Sequence, residues 1–101
     1  MTHLSGRLLE RGPLRHTPGG IPVLEFSLAH QSTQIEAGQN RSVDVDMVCI
    51  AVESLALLLA KSLEGDVMRV SGFLAARSLK RRSPVLHVTH IEFMEGIQNG
   101  F

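Results

Sequence analysis

The sequence predicts a small, mainly β protein with five strands and one short helix between the third and fourth strands. Apolar and polar residues alternate over several segments, which is the pattern of strands with one buried face. One segment instead shows the apolar spacing of a helix. In chain order, we predict strands at residues 3–10, 21–30 and 42–52, a helix at 53–63, and strands at 66–76 and 85–94. At 101 residues the chain has the length of one domain, residues 1–101.

The first two predicted strands flank a loop that is rich in proline and glycine. In the first strand, we expect Gly6 at a bulge or at a close approach of another strand. The segment RGPLRHTPGG (11–20) is predicted as a loop because glycine and proline interrupt regular structure. The second strand alternates cleanly, so that Leu24, Phe26 and Leu28 share one face, which we expect to be buried.

The third predicted strand follows TQIEAGQNR (33–41), a polar segment that we interpret as a connection. Cys49 lies on one face of this strand, and Asp44 and Asp46 lie on the other. We interpret the two aspartates as part of a solvated face, because no base, nucleophile or metal ligand accompanies them.

The helix and the last two strands complete the pattern. Leu55, Leu58 and Leu59 recur at helical spacing, and Gly65 follows as a stop signal. This order of elements is typical of the OB-fold, a Greek-key barrel of five strands, here with its helix at one end. A flat α+β sheet has the same order and is the alternative. In an OB-fold, the loops that join strands one and two and strands four and five flank the nucleic-acid groove.

The composition and the motifs exclude several classes of protein. No apolar run exceeds six residues, so no segment is long enough to span a membrane, and the N-terminus lacks the features of a signal peptide. The single cysteine cannot form an internal disulfide, which suits a cytoplasmic protein. We find no phosphate-binding loop, HExxH pair or GxSxG motif. We therefore predict that the protein is not an enzyme and uses neither a cofactor nor a metal.

Positive charge is concentrated between the last two strands. The chain has ten basic and ten acidic residues, yet four basic residues fall within six positions: Arg77, Lys80, Arg81 and Arg82. We call residues 77–83 the basic loop. Such a cluster either solubilises a hairpin or binds a polyanion, and its place in an OB-fold favours the second role. Further cations of the predicted site are Arg15 and His16 on the first loop and Arg41 after the second strand.

Aromatic side chains for base stacking are scarce in this sequence. It has four phenylalanines and neither tryptophan nor tyrosine. Alternation places Phe26 and Phe93 in the core, and we predict the same for Phe73, with the groove as the alternative. A binder that relies on charge alone is expected to be weak and strongly dependent on salt.

Several segments, in order, link the chain to a known family. They are GPLR (12–15), GGIP (19–22), EFSLAH (25–30), STQIEAG (32–38), SGFL (71–74) and VLHVTHIE (85–92). Through them the chain resembles the primosomal replication protein N family of bacterial replication restart. The resemblance implies a homodimer of OB-folds that binds single-stranded DNA. It also implies contacts with the primosomal helicase and with other primosome or single-strand-binding proteins.

The resemblance also implies which residues contact DNA. Lys80 and Arg82 match basic family positions of the loop between the last two strands, with Arg77 and Arg81 beside them, and His16 matches a basic position of the first loop. The chain departs from the family pattern at three places. Asp44 and Gln39 stand where the best-known form has aromatic residues, and Gln31 stands at a basic position.

These departures leave two alternatives open. One is a protein–protein adaptor of the primosome that binds little DNA itself, with the basic loop docked on an acidic surface of the helicase. The other is an ordinary single-strand-binding protein, which the short ending EGIQNGF disfavours because it is not a long acidic tail.

Overall fold

The computed structural model describes residues 1–94 of the chain. It contains six strands and one helix: β1 (Thr2–Arg11), β2 (Arg15–His16), β3 (Pro22–Glu36), β4 (Gln39–Val52), α1 (Ser54–Leu59), β5 (Val67–Ala76) and β6 (Pro84–Phe93). The predicted order of five long strands with a helix after the third is confirmed. β2 is a two-residue strand inside the predicted first loop. The ending EGIQNGF lies outside the described residues.

The five long strands close into a barrel. β1 pairs with β5 on one side and with β3 on the other, so the order β1-β5-β6-β4-β3 returns to β1. The pairing of β4 with β6 is parallel, and the other long pairings are antiparallel. This closed barrel is the predicted OB-fold and not the flat sheet.

The barrel interior is filled by aliphatic side chains around one phenylalanine. Phe26 is fully buried between Leu24 and Leu28 on the inward face of β3, as alternation predicts. Ala56 and Leu59 of α1 are buried against the same core. The helix therefore packs on the barrel as expected.

The helix is shorter than the sequence predicts, with six residues instead of the interval 53–63. After Leu59, the N–H groups of Lys61 and Ser62 donate to carbonyls three residues back, and the Ser62 hydroxyl donates to the Leu59 carbonyl at 2.6 Å. These bonds tighten the chain into a turn that ends the helix. Gly65 then takes a positive φ of 94°, which glycine adopts without strain.

The predicted polar connection 33–41 is wrong, because these residues extend the two neighbouring strands. β3 and β4 pair in unbroken register from Val23↔Val52 to Glu36↔Gln39. The turn is only Ala37–Gly38, both with positive φ, which is the geometry of a two-residue hairpin. Residues 31–44 therefore form a hairpin arm beyond the β1–β3 pairing. Because the core covers neither face of the arm, its sequence is largely polar and lacks the apolar–polar alternation that would have indicated strands.

Gly6 confirms the expected close approach of another strand. A Cβ atom at this position would lie 2.7 Å from the carbonyl oxygen of Ala29 on β3, which is too close for any side chain. The register also shifts between Leu8 and Glu10, so β1 carries a bulge just after this contact. Both features let β1 bend enough to pair with strands on its two sides.

Two of the three phenylalanines assigned to the core are exposed instead. Phe73 is 54% exposed and Phe93 is 36% exposed. In β5 the buried residues are Met68, Val70 and Gly72, so strict alternation places Phe73 on the outer face. Phe93 is the last residue of β6, where the end of the barrel leaves it partly in solvent.

Cys49 is buried in the barrel and is expected to be unreactive. Burial raises the pKa of its thiol from 9.0 to about 12. At pH 8 the thiolate population is then about a thousandfold smaller than in an unfolded chain. We expect a thiol reagent to label the native protein about a thousandfold more slowly than protein unfolded in urea. Equal labelling rates would contradict this burial.

No helix among residues 1–94 has the length and apolar character needed to cross a membrane.

Candidate nucleic-acid interface

A row of side chains crosses the outer face of four neighbouring strands. The pairing register places Phe73 of β5 beside His87 of β6, His87 beside Ile50 of β4, and Ile50 beside Glu25 of β3. Directly opposed residues project to the same side of a sheet, so these four side chains share one surface. We call them the outer row. The basic loop joins β5 to β6 and therefore lies beside this row.

An ion pair ties the basic loop to the far end of the outer row. Arg77 donates from Nη2 to Oε2 of Glu25 at 2.7 Å and from Nη1 to Oε1 at 3.3 Å. The two side chains are 27% and 34% exposed. Two parallel bonds fix the relative orientation of the groups, so the start of the basic loop is held against β3.

Three arginines of the predicted site influence the same carboxylate. The hydrogen bond from Arg77 holds the pKa of Glu25 below its ordinary value of 4.5, against the opposing effect of burial. The charges of Arg77, Arg15 and Arg81 lower this pKa further. Arg15 of the first loop and Arg81 of the basic loop therefore act electrostatically on one carboxylate, which sequence separation alone does not reveal.

The rest of the basic loop presents its cations to solvent. The Ser78 N–H donates to the Arg81 carbonyl at 2.9 Å, and the Arg81 N–H donates to the Ser78 hydroxyl at 2.9 Å. These bonds fold the loop tightly through its backbone and leave the basic side chains free to project. Lys80, Arg81 and Arg82 are exposed, and within residues 1–94 none of them forms an ion pair.

The first loop contributes a groove next to Glu25. β2 lies along β3 with Arg15 opposite Val23 and His16 opposite Pro22, and both basic side chains are exposed. Arg15 and Glu25 line an open groove of about 350 Å³ together with Arg11. The two loops predicted to flank the groove thus meet at Glu25.

Arg41 lies elsewhere in the structure. It is not at the end of a loop, as the sequence predicts, but within β4 on the hairpin arm, opposite Gln34. It forms an exposed ion pair with Glu36 at 3.2 Å. Eight residues separate it from Cys49, where β4 meets β6, which corresponds to about 27 Å along a strand. The structure does not bring Arg41 together with the basic loop.

Sequence reasoning missed Glu25 and gave the outward position of Phe73 only as the alternative to the core. Glu25 alternates outward on its strand, but its partner Arg77 lies 52 residues away, and no local pattern links them. For Phe73 a signal exists, because Met68 and Val70 are apolar at even spacing and Gly72 continues their face. Strict use of that alternation assigns Phe73 to the surface.

Replacing Glu25 by glutamine tests the ion pair through the pH dependence of stability. Because folding lowers the pKa of Glu25, its stabilising contribution is present above pH 4.5 and is lost as the pH falls through the lowered value. We expect the difference in unfolding free energy between wild type and Glu25→Gln to shrink between pH 7 and pH 3. Urea unfolding at both values measures it. Glu64→Gln controls for the loss of one surface carboxylate, because Glu64 is exposed and forms no ion pair within residues 1–94. A difference that does not change with pH would exclude the contribution.

Comparison with known proteins identifies the family. A family model described as another single-strand binding protein family matches residues 1–90. Replication restart protein PriB of Bordetella pertussis is 50% identical over 72 residues, which cover 71% of this chain and 67% of that protein. The chain belongs to the PriB family of replication restart proteins. This confirms the resemblance to primosomal replication protein N, which is the same family.

Two further PriB proteins extend the match over nearly the whole chain. PriB of Neisseria gonorrhoeae is 35% identical over 96 residues, covering 88% of this chain and 89% of its own. The solved structure of PriB from Ralstonia solanacearum superimposes with a TM-score of 0.83 at 29% identity, covering 93% of this chain and 96% of that one. The PriB family and this barrel therefore share one fold.

Proposed function

We propose that the protein is a single-stranded-DNA-binding accessory protein of replication restart, which holds the DNA backbone through its basic loop. The observation that carries the proposal is the arrangement of Lys80, Arg81 and Arg82, exposed beside the outer row of an OB barrel. In OB-folds this side of the barrel, between these two loops, receives nucleic acid. Membership of the PriB family supports the same role.

The charge distribution favours contacts with the DNA backbone over recognition of base sequence. The chain is neutral overall, so its attraction for DNA depends on local clusters of positive charge, and the basic loop with the neighbouring first loop forms such a cluster. Arg77 is already paired with Glu25, and we assign it to positioning the loop. Arg15 and His16 extend the positive surface along the first loop.

Fluorescence anisotropy of a labelled poly-dT oligonucleotide at 50 and 200 mM salt tests the proposal. Three cations on single-stranded phosphates predict a slope of log K against log salt of about −2, or roughly a twentyfold loss of affinity over this range. Failure to bind at 50 mM salt, or binding that salt does not weaken, would overturn the proposed contact.

We further propose that residues 1–101 form one domain and that the protein acts in the cytoplasm as a homodimer. We also propose that it engages the primosomal helicase and other primosome or single-strand-binding proteins. These proposals rest on the family to which the chain belongs. Sedimentation at micromolar concentration should return a mass of about 22 kDa, twice the 11.0 kDa of one chain. A value of 11 kDa across the range would contradict the homodimer.

An adaptor that binds little DNA is the second candidate function, and the aspartates favour it. Asp44 and Asp46 are exposed on β4, as the sequence predicts. They face outward on the same side as Ile50, where negative charge repels phosphates. If this candidate is correct, the primosomal helicase should be retained on immobilised protein without DNA, and the dT oligonucleotide should not bind at 50 mM salt.

A further inference from the structure

Phe73 and His87 form a stacked aromatic pair on the outer row. Their ring centroids are 5.0 Å apart and their planes differ by 3°. They are direct partners across β5 and β6, so the backbone pairing itself aligns the rings. His87 thus holds the Phe73 ring in one orientation and lies against one face of it, while 54% of Phe73 stays exposed.

The exposure of Phe73 distinguishes this pair from core packing. More than half of the Phe73 surface, 54%, remains in contact with solvent. Because burial stabilises in proportion to the apolar area removed from water, Phe73 forgoes about half of the stabilisation that full burial would supply. An oriented and exposed ring is instead the feature that single-strand binders use, because every nucleobase has an apolar face that stacks on it.

The position of the pair fits a DNA strand that also contacts the basic loop. Phe73 of β5 lies four residues before Arg77, the first residue of the basic loop. His87 of β6 lies four residues after Ser83, the last residue of that loop. Four residues of strand span about 13 Å, well within the several nucleotides that one OB-fold covers. The carboxylate of the same row, Glu25, is neutralised by Arg77, so it adds little repulsion.

We propose that Phe73, oriented by His87, is a stacking platform for one base of single-stranded DNA. This inference rests on the proposed function, which supplies the strand. The proposed platform places the aromatic contact with DNA on β5 and β6. Asp44 and Gln39 of β4, which stand where the best-known form of the family has aromatic residues, cannot stack on a base. Affinity then comes from two separable sources, the phosphates at the basic loop and one base at Phe73.

Two variants of Phe73 test the platform. Phe73→Leu keeps an apolar side chain at an exposed site but removes the aromatic face. We expect it to weaken binding of the dT oligonucleotide about 5- to 100-fold, with an unchanged salt slope because no cation is lost. Phe93→Leu is the matched control and should leave the affinity unchanged. An abasic oligonucleotide should bind wild type and Phe73→Leu equally.

Phe73→Trp gives a direct signal of stacking. The chain contains no tryptophan, so the fluorescence of this variant reports on position 73 alone. We expect saturable quenching by the dT oligonucleotide and none by the abasic one. If wild type binds with the expected salt slope, but Phe73→Leu binds equally well and Phe73→Trp is not quenched, the platform is wrong and the backbone contact stands. Absence of wild-type binding would overturn the proposed function and the platform together.

Discussion

Replacing Lys80, Arg81 and Arg82 together by alanine is expected to weaken binding of a dT oligonucleotide on the order of 10²-fold at 50 mM salt. Each of these exposed cations releases counterions from one phosphate, and the effects multiply. The slope of log K against log salt should flatten by about 2, since each single-strand contact contributes about 0.7. Anisotropy titrations at four salt concentrations measure both quantities.

The triple variant should remain folded, because the basic loop is closed by backbone groups and by Ser78, none of which it removes. The matched control removes three exposed cations elsewhere on the barrel, with alanine at Arg7, Lys61 and Arg69. It changes the net charge equally, so a loss confined to the loop variant assigns the contact to the loop. Equal losses in both variants, or an unchanged slope, would contradict that assignment.

Gly72→Ala is expected to destabilise the barrel by about 3 kcal/mol, which corresponds to a decrease in melting temperature of roughly 15 °C for a domain of this length. A Cβ atom at this position would overlap the carbonyl oxygen of His87 and approach the Val88 Cα to 3.0 Å. Both are backbone atoms of β6, so no side-chain rotation relieves the overlap. The two strands must separate where their register shifts. Thermal unfolding followed by circular dichroism measures the change.

Gly19→Ala is the matched control for this prediction. The nearest atom to a Cβ at Gly19 is the Thr17 Oγ1 at 3.9 Å, an ordinary contact, and the backbone there does not require glycine. Its melting temperature should stay within a few degrees of wild type. If Gly72→Ala melts as Gly19→Ala does, the close approach of β5 and β6 in the structure is wrong.

The local pattern of the chain predicted the elements whose two faces differ in environment. Alternation located the buried face of β3 around Phe26, and the change of period located α1, because one side of each element lies against the core. The same reasoning placed Asp44 and Asp46 in solvent. These assignments depend on neighbouring residues, which the sequence displays directly.

Local pattern was insufficient where solvent or a distant partner sets the structure. The hairpin arm has solvent on both faces, so its sequence shows little apolar–polar alternation although its strands are paired. The length of the arm is set by the turn at Ala37 and Gly38, both of which have a positive φ. The basic loop was recognisable from its composition, but the composition does not predict the tight turn that the hydrogen bonds between Ser78 and Arg81 close.

By itself, the sequence determined the order of strands and helix, the aliphatic core around Phe26 and the concentration of positive charge before β6. Only the tertiary structure decided that Arg77 is held by Glu25 and that Phe73 stacks on His87. The physical reason is that periodicity reports whether a residue faces the core. Which outward-facing residues meet depends on the register between strands that are far apart in the chain, and that register is set when the barrel closes.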